Sequence, residues 1–273
     1  MPYFWPMKKW YGLPAAALAI FMIGCNGDGE QNSSGNGTTT PPVPTINYAI
    51  AGTQPHDTSY FTEGLEFYNN TLLESTGLKG RSRLVRMDPE TSKPLQEIRL
   101  DDQYFGEGLT VLNDTLYQLT WQEHKVLVYS ARDFRKIKEL PLTGDGWGLT
   151  NDGKHLIASN GSSDLFFYEP SGFKLVKTLN VTENGNAVIN INELEYVNGF
   201  IYANQWQLND IVKINAATGE VVAKMNFKPY VDMEEAKNPQ ANELNGIAYN
   251  PANKRFYITG KNWSQIYQLQ FEH

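Results

Sequence analysis

Two columns of residues emerge when the sequence is cut into its repeating units. Glu63-Gly64-Leu65, Glu107-Gly108-Leu109, Trp147-Gly148-Leu149, Glu193-Leu194-Glu195 and Asn245-Gly246-Ile247 open five successive units, and Glu63, Glu107, Trp147, Glu193 and Asn245 form the first column. The second column, Thr76, Trp121, Asn160, Trp206 and Lys261, follows 13, 14, 13, 13 and 16 residues later. A column that served packing alone would repeat one small or aliphatic type, whereas these mix three tryptophans with carboxylates, amides and a lysine. Taken singly, each tryptophan has an ordinary packing role and Lys261 a solvated one. It is the matching offsets that argue for an aromatic-walled pocket with a few convergent polar groups. Glu63 and Glu107 hold equivalent positions in consecutive units, so their carboxyl groups are expected close together. Two such groups share a proton, the one raising the pKa of the other, which keeps an acid available at neutral pH for general acid–base work.

The elements that must position these residues are strands. From Thr45 onward, short runs of β-branched and aromatic residues alternate with Asn, Gly, Asp and Pro, and helical periodicity is nearly absent. Each unit start leads to a turn, such as Asn69-Asn70, Asn113-Asp114 or Asn198-Gly199, then to a second strand, a third and in most units a fourth. Asn-Gly and Asn-Asp pairs reach positive φ cheaply, so these are hairpins. The starts lie 44, 40, 46 and 52 residues apart, the length of a four-stranded blade with its connections. The expected fold is therefore all-β, a five-bladed β-propeller, whose first strands line a central channel. The last unit stops after three strands, and the β-like run Ile46–Ile50 is expected to complete it, removing two open sheet edges. Val231–Lys237 is the one stretch of helical character, placed as an insertion on one face. A sandwich or an open barrel would not give five register-matched units.

Composition agrees with a globular chain. Of 273 residues 41% are hydrophobic and 12% aromatic, which excludes disorder and a polytopic membrane protein. There are 23 basic and 30 acidic side chains, a formal net charge of −7, so nucleic acid is not an expected partner. His56, His124, His155 and His273 are dispersed, and Cys25 is the only cysteine, which disfavours a transition-metal site.

Residues 1–24 have the form of an export leader, with Lys8 and Lys9 ahead of the apolar stretch Trp10–Ile23. Met22-Ile23-Gly24-Cys25 resembles the bacterial lipoprotein lipobox, with methionine where leucine is usual. The resemblance implies lipidation of Cys25 and an exported protein anchored to a bacterial membrane, periplasmic or at the cell surface. Residues 25–44 are mostly Gly, Ser, Asn, Thr and Pro, a flexible tether, and 45–273 form the propeller, expected as a monomer.

The segments Phe61-Thr62-Glu63-Gly64-Leu65, Tyr104-Phe105-Gly106-Glu107-Gly108-Leu109, Leu119-Thr120-Trp121, Gly146-Trp147-Gly148-Leu149, Ile191-Asn192-Glu193-Leu194-Glu195, Ala203-Asn204-Gln205-Trp206, Leu244-Asn245-Gly246-Ile247 and Thr259-Gly260-Lys261 resemble the plant-type and bacterial glutaminyl-peptide cyclotransferases. These are metal-independent five-bladed propellers, and the resemblance covers the chain from about Thr45 to its end. It implies conversion of the N-terminal glutamine of peptides or proteins to pyroglutamate with release of ammonia and without a cofactor. The family pocket falls on Phe105, Glu107, Trp121, Trp147, Asn192, Trp206 and Lys261, with Phe61, Glu193 and Asn245 as further candidates for substrate contact. Glu107 is the candidate proton shuttle, and Asn192 and Lys261 are candidates for holding the carboxamide oxygen and its developing charge. At the position of Glu63 the family typically has glutamine, so this chain departs from it. Two other classes fit parts of the pattern. One is a noncatalytic cell-surface propeller that binds peptides or glycans. The other is a calcium-dependent hydrolase, for which the columns offer Glu193, Asn160 and Asn245.

Overall fold

The computed structural model of the chain describes residues 41–273. The leader, Cys25 and residues 25–40 of the tether lie outside the described residues. Turn chemistry sets the hairpins. Asn69 and Asn70 sit at φ 47° and 58°, Asn113 and Asp114 at 51° and 59°, and Asn198 and Gly199 at 51° and 87°. Paired left-handed residues give a turn whose twist matches the strands it joins.

Five four-stranded antiparallel sheets result. Their innermost strands, in blades 1 to 5, are Thr62–Tyr68, Gly106–Leu112, Leu149–Asn151, Ile191–Val197 and Leu244–Asn250. Each neighbours the next around a closed ring, blade 5 against blade 1 included. The core is correspondingly divided into five wedges, one between each pair of adjacent blades. Leu73 and Leu84 of blade 1, for example, meet Leu109, Leu116 and Leu127 of blade 2.

The inner edge of each innermost strand faces the channel, where its amides need acceptors. Side chains from the preceding blade supply several. Glu66 Oε1 accepts from Val111 N at 3.0 Å, Thr150 Oγ1 from Tyr196 N at 3.0 Å, and Glu195 Oε1 from Tyr249 N at 2.8 Å.

The N-terminal strand does complete blade 5, but as Ala49–Pro55, antiparallel to Gln265–Gln270. The expected run Ile46–Ile50 starts too early because the residues before it serve another edge. Thr45 pairs in parallel with Lys224 on the outermost strand of blade 4, with Lys224 N donating to Pro44 O at 2.9 Å and Ile46 N to Lys224 O at 2.8 Å. Val43 packs on the wedge between blades 3 and 4. The propeller's boundary therefore precedes Thr45, and the last residues assigned to the tether belong to it.

His56, directly after the closing strand, locks the seam between blades 5 and 1. Its Nδ1 meets Trp263 O at 2.9 Å and its Nε2 meets Glu74 Oε1 at 3.1 Å, and Thr62 Oγ1 also donates to Glu74 at 2.7 Å. Both ring nitrogens face acceptors, so the ring is an imidazolium. Burial opposes that charge, but Glu74 and the Trp263 carbonyl outweigh it and raise the pKa.

The single helix among the described residues, Lys228–Lys237, begins three residues before the expected Val231. Pro229 in its first turn lacks only an N–H that a helix start leaves unpaired anyway. Asn238 Nδ2 donates to Asn262 O and Trp263 Nε1 to Asn242 O, both at 2.8 Å, which ties the helix and its trailing loop to the end of the blade 5 hairpin beside Lys261.

Candidate active site

Strand register, not sequence spacing, fixes which residues are equivalent. Leu65 pairs with Glu74, Leu109 with Gln118, Leu149 with Ala158, Leu194 with Ala203 and Ile247 with Ile258. Two residues before the first member of each pair stand Glu63, Glu107, Trp147, Asn192 and Asn245. Three after the second stand Gly77, Trp121, Gly161, Trp206 and Lys261. Between these columns the offsets become 14, 14, 14, 14 and 16. Three expected placements change accordingly. Asn192 replaces Glu193 in the first column, because the register aligns Asn192-Glu193-Leu194, rather than Glu193-Leu194-Glu195, with Glu107-Gly108-Leu109 and Asn245-Gly246-Ile247. Gly77 and Gly161 replace Thr76 and Asn160 in the second.

The glycines make room for the pocket walls. A Cβ on Gly77 would stand 2.4 Å from Phe105 Cε1 and 3.1 Å from Glu63 Cγ, and one on Gly161 would stand 2.5 Å from the Trp147 ring. Gly161 also sits at φ 81°, which side chains resist. Gly77→Ala is expected to push Phe105 into the cavity and to raise KM for substrate about tenfold, with a smaller effect on kcat. An unchanged KM would show that Phe105 has room to give way.

Phe61, Glu63, Phe105, Glu107, Trp121, Trp147, Asn192, Trp206 and Lys261 line one cavity of ≈ 320 Å³. One wall is a chain of edge-to-face rings, Phe61 to Phe105 at 6.2 Å and Phe105 to Trp121 at 5.5 Å. Facing it, Trp147 and Trp206 meet edge to face at 5.5 Å. The polar residues are all buried. Lys261 Nζ lies 3.0 Å from Glu63 Oε1 and 4.7 Å from the Phe61 ring centre. Glu63 Oε2 accepts from Asn245 Nδ2 at 3.0 Å, and Asn245 Nδ2 also donates to Thr62 O. Equivalent serines fix the backbone beneath two polar residues: Ser75 donates to Glu107 O, and Ser159 Oγ to Asn192 O at 2.7 Å. Asn192 Oδ1 is buried with no partner within the protein, so its carboxamide is left for a ligand.

Burial pushes the Glu107 carboxyl well above the usual range, and the neighbouring Glu63 adds to this more than Lys261 relieves it. Glu63 is pushed up to about 7, chiefly by burial, with Lys261 opposing the rise. Lys261 loses solvation, but Glu63, Glu107 and Glu243 more than compensate and raise its pKa. The two carboxyl groups thus bind protons more readily than free ones, while Lys261 holds its own more firmly.

Residues 18–271 match the sequence model of the glutamine cyclotransferase family. The chain belongs to that family. It is 37% identical over 221 residues to the glutaminyl-peptide cyclotransferase of Arabidopsis thaliana, covering 80% of this chain and 69% of that one. Its fold is similar to the crystal structure of Myxococcus xanthus glutaminyl cyclase, with a TM-score of 0.78 and 35% identity, covering 85% of this chain and 99% of the other.

Of the eleven residues proposed from sequence for the propeller site, nine line this cyclotransferase-family pocket; Asn245 and Glu193 do not. Asn245 stands behind Glu63, as described. Glu193 occupies the register position that is Gly64, Gly108, Gly148 and Gly246 in the other blades. Fully buried, it accepts from Leu65 N at 3.2 Å and Ile247 N at 2.8 Å, tying blade 4 to blades 1 and 5. Of the set named for a calcium-dependent hydrolase, Glu193 is taken up by two backbone amides and Asn160 Oδ1 accepts from Ser162 Oγ at 2.6 Å, which leaves only Asn245 Oδ1 without a partner. Sequence reasoning missed Gly77 and Gly161, and the signal for them was the offset of 14 shared by the first four blades.

Proposed function

We propose that this chain converts the N-terminal glutamine of peptides or proteins to pyroglutamate and ammonia. What carries the proposal is an unpartnered carboxamide, Asn192, in the same aromatic pocket as a buried carboxyl group, Glu107, whose hold on its proton is strengthened by burial and by Glu63. A carboxamide presents a donor and an acceptor side by side, the complement of a glutamine side chain.

The substrate's α-amine has a pKa of about 7.7 to 8, so part of it is neutral without a strong base. The aromatic walls fold the glutamine side chain back on its own amine, so that ring closure is intramolecular. The amine nitrogen attacks the γ-carbonyl carbon, and the C–N bond of the five-membered ring forms. Charge that develops on the carbonyl oxygen is held by Lys261 and the Asn192 amide. Glu107 gives its proton to the departing nitrogen and takes the one shed by the attacking nitrogen, so ammonia leaves and the acid ends as it began. Glu63, held by Lys261 and Asn245, keeps the Glu107 proton in place.

The test is to incubate the protein with peptides beginning in Gln, Glu or Asn, following ammonia release and the matching mass loss. Silence on the Gln peptide sinks the proposal and leaves a binding propeller. In the same assay Glu63→Gln removes the like charge beside Glu107, so Glu107 loses its proton at lower pH. The alkaline limb of the activity profile is then expected to move toward acid. An unshifted profile with full activity would remove Glu63 from the proton chemistry.

A further inference from the structure

With the N-terminal glutamine in the cavity, the remainder of a peptide substrate leaves across the mouth, and the rim there is uneven. On the side of blades 1 and 2 it carries ion pairs, Lys79 with Glu123 at 2.7 Å and Arg99 with Asp102 at 3.1 Å. The segments 188–190 and 205–209, which meet at the start of blade 4, contain no charged residue. They expose instead Ile189, at 57%, and Leu208, at 45%. Large aliphatic side chains so exposed on loops mark contact surfaces when they adjoin an established site.

These two do adjoin it. Trp206 N donates to Asn190 O at 2.8 Å, Gln205 Nε2 to Ile189 O at 3.0 Å, and Leu208 N to Gln205 O at 3.0 Å. On the other flank Asn190 N donates to Gly161 O at 2.8 Å, and Gly161 lies against the Trp147 ring. The shelf therefore continues from the Trp147–Trp206 wall and stands on the same blade as the unpartnered Asn192. Gln207, beside Leu208, holds φ 64°, a left-handed conformation costly for a long side chain and typical of sites where the surroundings enforce a particular display.

We propose that Ile189 and Leu208 receive the side chain of the residue that follows the substrate's N-terminal glutamine, and that they select a large apolar residue there. The inference rests on the cyclotransferase activity proposed above. Successive Cα atoms are about 3.8 Å apart, so the second residue of a bound peptide is the one that meets the rim. Two side chains offer far less area than the roughly 1,000 Å² a stable protein interface needs, which favours a short peptide segment over a second copy of the chain.

The test uses the full chain and peptides Gln-X-Gly with X as Ala, Leu, Phe or Asp. The intact protein is expected to favour Leu and Phe over Ala by about tenfold in kcat/KM, mainly through KM. In the double variant Ile189→Ser, Leu208→Ser that ratio is expected to fall below about two. A ratio near one in the intact protein, or one unmoved by the double substitution, overturns the shelf. Peptide binding followed through the fluorescence of the pocket tryptophans gives a second readout. A Leu to Ala preference in Kd without ammonia release sinks the cyclotransferase proposal and leaves the shelf standing. Ammonia release without that preference does the reverse.

Discussion

Glu107→Gln is expected to lower kcat/KM on N-terminal glutamine peptides by about a hundredfold or more, because the departing nitrogen loses its general acid while Lys261 stays paired with Glu63. The same substitution should leave the fold intact and raise the melting temperature at neutral pH. Glu107 has its pKa raised by burial and by Glu63, so folding is penalised wherever the unfolded chain would ionise it. That penalty is absent below the ordinary carboxyl value of about 4.3 and grows as pH climbs toward the raised value in the folded state. Glutamine does not titrate, so the difference in melting temperature between variant and parent should shrink as pH falls. A near-normal rate would remove Glu107 from the mechanism, and a lowered melting temperature at neutral pH would contradict its being buried as an acid.

His56→Ala is expected to cost about 3–5 kcal/mol, the range for removing one partner of a buried ion pair and leaving the other charge uncompensated. Here the abandoned group is Glu74, fully buried between blades 5 and 1. Chemical denaturation of parent and variant measures the loss; a value under about 1 kcal/mol would show that the seam does not depend on this pair. The pH dependence gives a second check. The pKa of His56 is raised in the fold, so its contribution is fully present below about 6.5 and is lost as pH rises through the folded-state value. The parent should weaken along that rise, and the variant should lack that component.

The repeat period exposed the fold because three of the five blades carry the same turn chemistry, Asn-Asn, Asn-Asp or Asn-Gly, at the same place, and the other two turn there through Gly153 and Lys254. It also brought out Glu63 and Glu107, on the innermost strands, and Trp121, Trp147, Trp206 and Lys261, which stand one or two residues beyond strand ends. Asn192 was accessible only through family resemblance, because Glu193 repeats the acidic residue type that opens the first two units and so draws the blade 4 start one position along, and one position in a strand exchanges opposite faces. Gly77 and Gly161 were invisible for another reason: their contribution is space for Phe105 and Trp147, and a missing side chain has no chemistry to notice. The strap of residues 44–46 along blade 4 carries no pattern of its own, since it is recruited by an edge formed nearly two hundred residues later.

Glu193 has a consequence for symmetry. A protein of five identical copies of blade 1 would present only glycine at the central register position, with no side chain to reach the Leu65 and Ile247 amides. Five copies of blade 4 would instead direct five carboxylates at a single axis. Neither ring could be built from one consensus unit, so the blades of this propeller are not interchangeable modules. One asymmetric residue gives the ring a fixed order, in the way a keyed joint admits only one assembly.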